Sequence, residues 1–166
     1  MRLISLLSAA LWVDFIVIVL TKIVPGGHLW FLPPTGALNL WYEKFGLAAV
    51  AADVLSLFLG VLLATFLFPG VMGLELVIGA VLVQMLHDIL FYAVVIQGVP
   101  QGQNEMIDVF KSYANEGGWT ILLADALMIT FTVLFARLSD LLFPYRMIAF
   151  QALLGMYSLI YITYTK

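Results

Sequence analysis

Residues 47–68 read LAAVAADVLSLFLGVLLATFLF, an unbroken apolar run without proline in which Asp53 is the sole ionisable side chain. About 20 such residues in a helix span the hydrocarbon core of a bilayer, where a bare backbone finds no hydrogen-bonding solvent. The stretch therefore predicts a transmembrane helix. Four further runs, 3–24, 74–96, 119–138 and 145–164, qualify on the same grounds. Helix breakers separate them: Pro25-Gly26-Gly27, Pro69-Gly70, Gly98 with Pro100, Gly117-Gly118 and Pro144. The expectation is an all-α polytopic membrane bundle of five transmembrane helices, forming a single integral membrane domain over residues 1–166.

Composition agrees. Of 166 residues, 64% are hydrophobic and 10% charged, with a mean hydropathy of +1.10. These values argue against a water-soluble enzyme or a disordered regulator. The absence of cysteine excludes a disulfide scaffold. Seven Lys and Arg against ten Asp and Glu leave no basic footprint for nucleic acid. Arg2 followed by an apolar run and Ser8-Ala9-Ala10 has the outline of a signal peptide, yet the run continues to Val24, which favours a retained span. Five spans place the two ends of the chain on opposite faces. Arg2, Arg137 and Arg146 then oppose Lys22, Lys44, Lys111 and Lys166, and so even a division leaves the orientation open.

Two long connections, residues 25–46 and 97–118, lie on the face away from Arg2. The first carries Trp30, Phe31, Pro33-Pro34, Trp41 and Tyr42, a composition suited to the headgroup layer. In the second, Met106, Ile107, Phe110, Tyr113 and Ala114 recur at helical spacing opposite Glu105, Asp108, Ser112 and Asn115. That pattern predicts a short interfacial helix between the third and fourth spans, N-capped by Asn104 and stopped by Gly117.

Chemistry enters through four buried acids, one on each of the first four spans: Asp14, Asp53, Asp88 and Asp125. At the rise of a helix they lie about 15, 9, 12 and 9 Å from the ends of their spans on the long-loop side, so they share a layer. No Lys or Arg accompanies them at that depth. Each carboxylate exposed to lipid would cost about 2.5 to 3.5 kcal/mol, so the four are expected to face inward. There each must take up a proton, pair with His87, or share a cation or water. Supporting positions follow from helical spacing: Ser56 and Gly60 with Asp53; Gln84, His87 and Tyr92 with Asp88; Thr132 with Asp125; and Gln151, Gly155 and Ser158 on the fifth span.

This inventory selects among membrane chemistries. Retinal needs a lysine deep in a span, bis-histidine haem needs two membrane histidines, and zinc needs more than the two histidines here without thiols, so none of these cofactors is expected. A hard cation, Ca²⁺, Mg²⁺ or Mn²⁺, suits an oxygen site built from Asp53, Asp88 and Asp125. The first expectation is transport or conduction of protons or cations through a pocket of Asp14, Asp53, His87, Asp88 and Asp125, in a bundle free to form homo-oligomers. The second is an intramembrane enzyme on a lipid or other membrane-dissolved substrate, with His87 as base and Asp88 or Asp53 orienting it. An aspartyl hydrolase ranks lower, because the acids lack a Gly-x-Gly-Asp setting. The third is a membrane-organising protein whose acids are protonated contacts between helices.

Three stretches carry a family resemblance: Asn39-Leu40-Trp41-Tyr42 with Phe45-Gly46 and Asp53; Gln84-Met85-Leu86-His87-Asp88 with Phe91-Tyr92; and Asn104-Glu105-Met106-Ile107-Asp108 with Phe110-Lys111. With Asp125 they cover the middle half of the chain, which resembles a small multi-span membrane protein family of large DNA viruses and protists. The resemblance implies a viral or protist membrane and supplies no activity.

Overall fold

The computed structural model describes residues 1–22 and 36–165. The first span's last two residues, Pro25-Gly26-Gly27, His28, Trp30, Phe31, Pro33-Pro34 and Lys166 lie outside the described residues. Within them the chain is helical and no strand occurs: α1 (Leu3–Lys22), α2 (Gly36–Phe45), α3 (Leu47–Leu67), α4 (Leu74–Leu90), α5 (Glu105–Gly117), α6 (Thr120–Leu142) and α7 (Tyr145–Thr163). The backbone of α4 continues into a wider π-helical segment, Phe91–Ile96. Helices α1, α3, α4 with this segment, α6 and α7 are long and apolar enough to cross a membrane, as the sequence predicts.

The fourth span differs in length from its sequence reading. It continues four residues past Leu138, because the helix remains hydrogen-bonded until Phe143, held extended before Pro144, closes it on the Ser139 carbonyl.

Helix α1 is the axis of the bundle. It packs on α7, α6 and α3, while α4 packs on α3 and α6. Small side chains make the central position feasible: Ser5, Ser8, Ala9 and Ala10 are buried on α1, and a Cβ at Gly155 of α7 would lie 3.3 Å from the Leu11 Cβ. With no water to expel inside a bilayer, such close approach supplies the packing that holds spans together. Large apolar side chains such as Leu63, Phe66, Leu82, Leu86 and Leu153 point outward and are exposed, as a lipid-facing surface requires.

At one end the two connecting helices form a cap. α2 packs on α5 and α3, and α5 reaches the π segment and α6. The predicted interfacial helix forms with the predicted ends. Asn104 accepts hydrogen bonds from the Met106 and Ile107 amides at 3.0 and 3.2 Å, and α5 ends at Gly117 before Gly118, whose φ of 53° favours glycine. Its contact with α2 combines Trp41 against Phe110 at 4.7 Å between ring centres, an ion pair from Lys44 to Glu105 at 3.3 Å, and Glu116 accepting the Ala37 amide at 3.2 Å. The reading of Trp41 and Tyr42 as headgroup-layer residues is corrected: both are buried. They belong to a ten-residue helix that turns its rings inward against α3 and α5.

Candidate functional site

Beneath this cap, α3, α4 and α6 enclose a cavity of about 710 Å³. Its position follows from backbone form. Helices α3 and α6 are α-helical throughout, whereas α4 continues into the π segment at its cap end, and such widenings recur at functional sites. The polar lining comes from Asp53 and Ser56 on α3, Gln84, His87, Asp88 and Tyr92 on α4 and its extension, and Asp125 on α6. Trp41 and Tyr42 of α2 and Tyr113 of α5 add donors from the cap. Leu55, Leu59 and Ile89, all exposed apolar residues, form part of its wall and give it a lipid-facing rim.

Two hydrogen-bonded groups share this space. In the first, Tyr42 Oη donates to Asp53 Oδ2 at 2.8 Å, and Trp41 Nε1 donates to the same oxygen at 3.3 Å. Tyr42 Oη also lies 3.5 Å from Asp14 Oδ1. In the second, Gln84 Nε2 donates to Asp88 Oδ1 at 2.8 Å and contacts Ser56 Oγ at 3.3 Å. His87 Nδ1 meets Asp88 Oδ1 at 3.0 Å. With its Nδ1–H given to Asp88, a neutral imidazole keeps its Nε2 lone pair free as a base. His87 is 54% exposed and Asp88 16%, so the ring is the accessible member of the pair. It stacks on Phe91 with ring centres 5.8 Å apart.

Gly60 makes the second group fit. A Cβ there would stand 2.7 Å from Gln84 Oε1, so only glycine leaves the amide room to reach Ser56 and Asp88 together. Two carboxylate oxygens, Asp14 Oδ2 and Asp88 Oδ2, are buried without a hydrogen-bond partner among the described residues. Burial, and then the charges of Asp53 and Asp14, push the Tyr42 phenol well above its ordinary range. Burial, and then Asp125, Asp53 and Asp88, push Tyr113 upward in the same way. Both phenols therefore remain neutral donors near physiological pH.

The sequence-derived pocket is only partly assembled. Asp53, His87, Asp88 and Asp125 line the cavity with Ser56, Gln84 and Tyr92. Asp14 does not: it is 0% exposed and lies behind Tyr42. Thr132 is buried and bonds back to its own helix through the Met128 carbonyl at 2.8 Å. Gln151 does not line the cavity, and its backbone carbonyl accepts Trp12 Nε1 at 3.1 Å. The expected hard-cation site is also not formed. Among the described residues no group of three or more carboxylate or imidazole side chains is placed to hold a metal ion, and Asp53 and Asp88 hydrogen-bond to different neighbours.

Sequence reasoning missed Trp41 and Tyr42 as partners of the acids, and Tyr113 as a cavity residue. A signal was present for the first two: Ala37, Trp41 and Phe45 fall at i, i+4 and i+8, and Leu38 and Tyr42 at i and i+4, the spacing of a helix face.

The cavity has a floor. Beyond Leu59, Gln84 and Met128, away from the cap, come Val61 and Ala64, Ala80, and Val133 and Ala136, all buried. At the opposite end of the bundle, Arg2 Nε donates to Asp140 Oδ1 at 2.7 Å and the Arg2 amide to Oδ2 at 3.0 Å, with Ser5 also bonded to Oδ1. Asp140 thus pairs with Arg2 at this end. Lys22, at the cap end, reaches the Thr163 carbonyl at 2.7 Å and closes α7, leaving the acids uncompensated.

Comparison of the chain with protein-family models, with curated proteins and with solved structures gives no match.

Proposed function

We propose that this multi-pass membrane protein binds, in its acid-lined cavity, the cationic head of a membrane-dissolved amphiphile such as a long-chain amine, and exchanges a proton with it at His87. One observation carries the reading: three carboxylates line a cavity with a lipid-facing apolar rim, and among the described residues no Lys or Arg lines it. An ammonium head would supply the missing positive charge in a low-dielectric setting, where an unpaired charge costs most. Its chain would leave past Leu55 and Leu59. The volume suits a small-molecule site, for which about 300 to 1,000 Å³ is usual. In this reading Asp88 orients His87, whose free Nε2 takes the proton, while Asp53 and Asp125 hold the charge.

Transport of protons or small cations is the second reading, favoured by cavity acids contributed from three helices. It requires the buried floor of Val61, Ala80 and Val133 to open, with the cavity facing each side in turn. An odd number of crossings would place the ends of the chain on opposite faces. In a purely structural role, the acids would only join helices, and amides in their place would leave ligand capture unchanged.

A photoreactive long-chain alkylamine and its alcohol analogue, added to nanodiscs holding the protein, separate these readings. The amine is expected to label cavity peptides about tenfold more than the alcohol, a preference worth about 1.4 kcal/mol, and Asp88→Asn is expected to abolish that preference. Equal labelling by both probes would overturn the amphiphile reading. Proton flux into liposomes that is lost in Asp88→Asn would instead establish transport.

A further inference from the structure

Counting hydrogens between α1, α2 and α3 leads to a second role for the cap. Tyr42 has one hydroxyl hydrogen and two carboxylates within reach. The 2.8 Å contact gives that hydrogen to Asp53, which also receives the Trp41 indole N–H. Asp14 receives no donor: its Oδ1 lies 3.5 Å from the Tyr42 oxygen and its Oδ2 has no partner. A fully buried carboxylate without a single donor would carry an uncompensated charge costing several kcal/mol. The same group as a neutral acid donates its own O–H to Tyr42 Oη and satisfies the contact.

We infer that Asp14 stores a proton in the bundle and exchanges it with the cavity only through Tyr42. The exchange conserves charge. The Asp14 O–H bond breaks as Tyr42 Oη gains that proton, and the original Tyr42 O–H bond breaks as Asp53 Oδ2 gains the other. One proton passes from α1 to α3, and Tyr42 ends as it began. Asp53 faces the cavity, so the stored proton becomes available to whatever occupies it. Because Tyr42 sits on α2, lifting the cap would break the path and isolate Asp14.

Among the described residues no other group competes for the role. Of the charged or titratable residues on the elements against α1, Asp125 of α6 lines the cavity, and Arg137 and Asp140 lie toward the opposite end of that helix. On α7, Tyr145 and Arg146 begin the helix at that same far end, while Tyr157 and Tyr161 are exposed. Lys22 of α1 itself is engaged by the Thr163 and Thr165 carbonyls.

The inference rests on the cavity being the working site, but its test needs no ligand, so failure of amine capture leaves the readout intact. Infrared spectra of the nanodisc-embedded protein report the carbonyl stretch of a protonated carboxyl group and its shift in D₂O. The band is expected in the unaltered protein, retained in Asp53→Asn and lost in Asp14→Asn. In Tyr42→Phe it should remain, with hydrogen–deuterium exchange slowed at least about tenfold. A band that survives Asp14→Asn would overturn the assignment, as would exchange in Tyr42→Phe as fast as in the unaltered protein. Should Asp14→Asn fail to fold, judged by circular dichroism, the Tyr42→Phe exchange rate decides alone.

Discussion

Asp140 and Asp14 are the same residue type near opposite ends of one bundle, and they are accommodated in opposite ways. Asp140 is partly exposed and meets a guanidinium, a backbone amide and a serine hydroxyl, so every polar atom has a charged or donor partner. Asp14 is sealed and meets only a phenol oxygen already committed to another acid. The first is an ordinary rim ion pair. The second retains an unpaired polar atom in the interior, an arrangement that packing alone would not favour. Acid at one end is neutralised by the chain itself; at the other it is left for a proton or a ligand.

The contrast breaks most severely at Tyr42. Replacing it with alanine removes a buried ring and the only group bridging the two acids, for a destabilisation of about 3 to 5 kcal/mol in detergent unfolding. Tyr42→Phe keeps the ring and loses the hydroxyl, so about 1 to 3 kcal/mol is expected. If Phe costs nothing, packing of the ring accounts for the whole loss and the contacts to the acids matter little.

Alkaline titration sharpens the comparison from another side. Unfolded tyrosines ionise near pH 10, whereas Tyr42 and Tyr113 are held neutral above that by burial and neighbouring carboxylates. Their contribution to stability is complete below pH 10 and declines as pH rises beyond it, because there the unfolded chain sheds protons that the folded chain retains. Tyr42→Phe and Tyr113→Phe should each flatten that decline. A slope unchanged in both variants would contradict it.

The smallest effect belongs to the far end. Arg2→Ala removes a pair that water partly screens, so a loss of about 1 kcal/mol or less is expected in the same unfolding assay, with cavity labelling unaffected.

Much of the architecture was legible because lipid imposes one rule on every span, a run of apolar residues closed by glycine or proline. Residues 97–118 were readable for a related reason: Asn104 and Gly117 are local end signals, and the apolar face of α5 repeats at helical spacing. Helix α2 was not, since its ten residues carry interface-type aromatics beside Glu43 and Lys44, and composition does not tell a ring in the headgroup layer from one folded under a neighbouring helix. The site shows the same limit. Depth along a helix follows from counting, so the acids could be placed in one layer. Rotation about the axis depends on partners distant in sequence, which is why Asp14, Thr132 and Gln151 fall away from the cavity while Tyr113 enters it.

The central claim is that the cavity opens on one side only. A chain with no cysteine permits a direct measurement: single cysteines at Ser56 in the cavity wall and at Thr132 in the buried floor layer, each challenged in nanodiscs with a bilayer-dissolved maleimide and with a membrane-impermeant thiol reagent. Modification of Ser56→Cys by the bilayer-dissolved reagent, with Thr132→Cys resisting both, is the expected result. Reaction of Thr132→Cys with the impermeant reagent would mean that water crosses the floor, and would contradict the account.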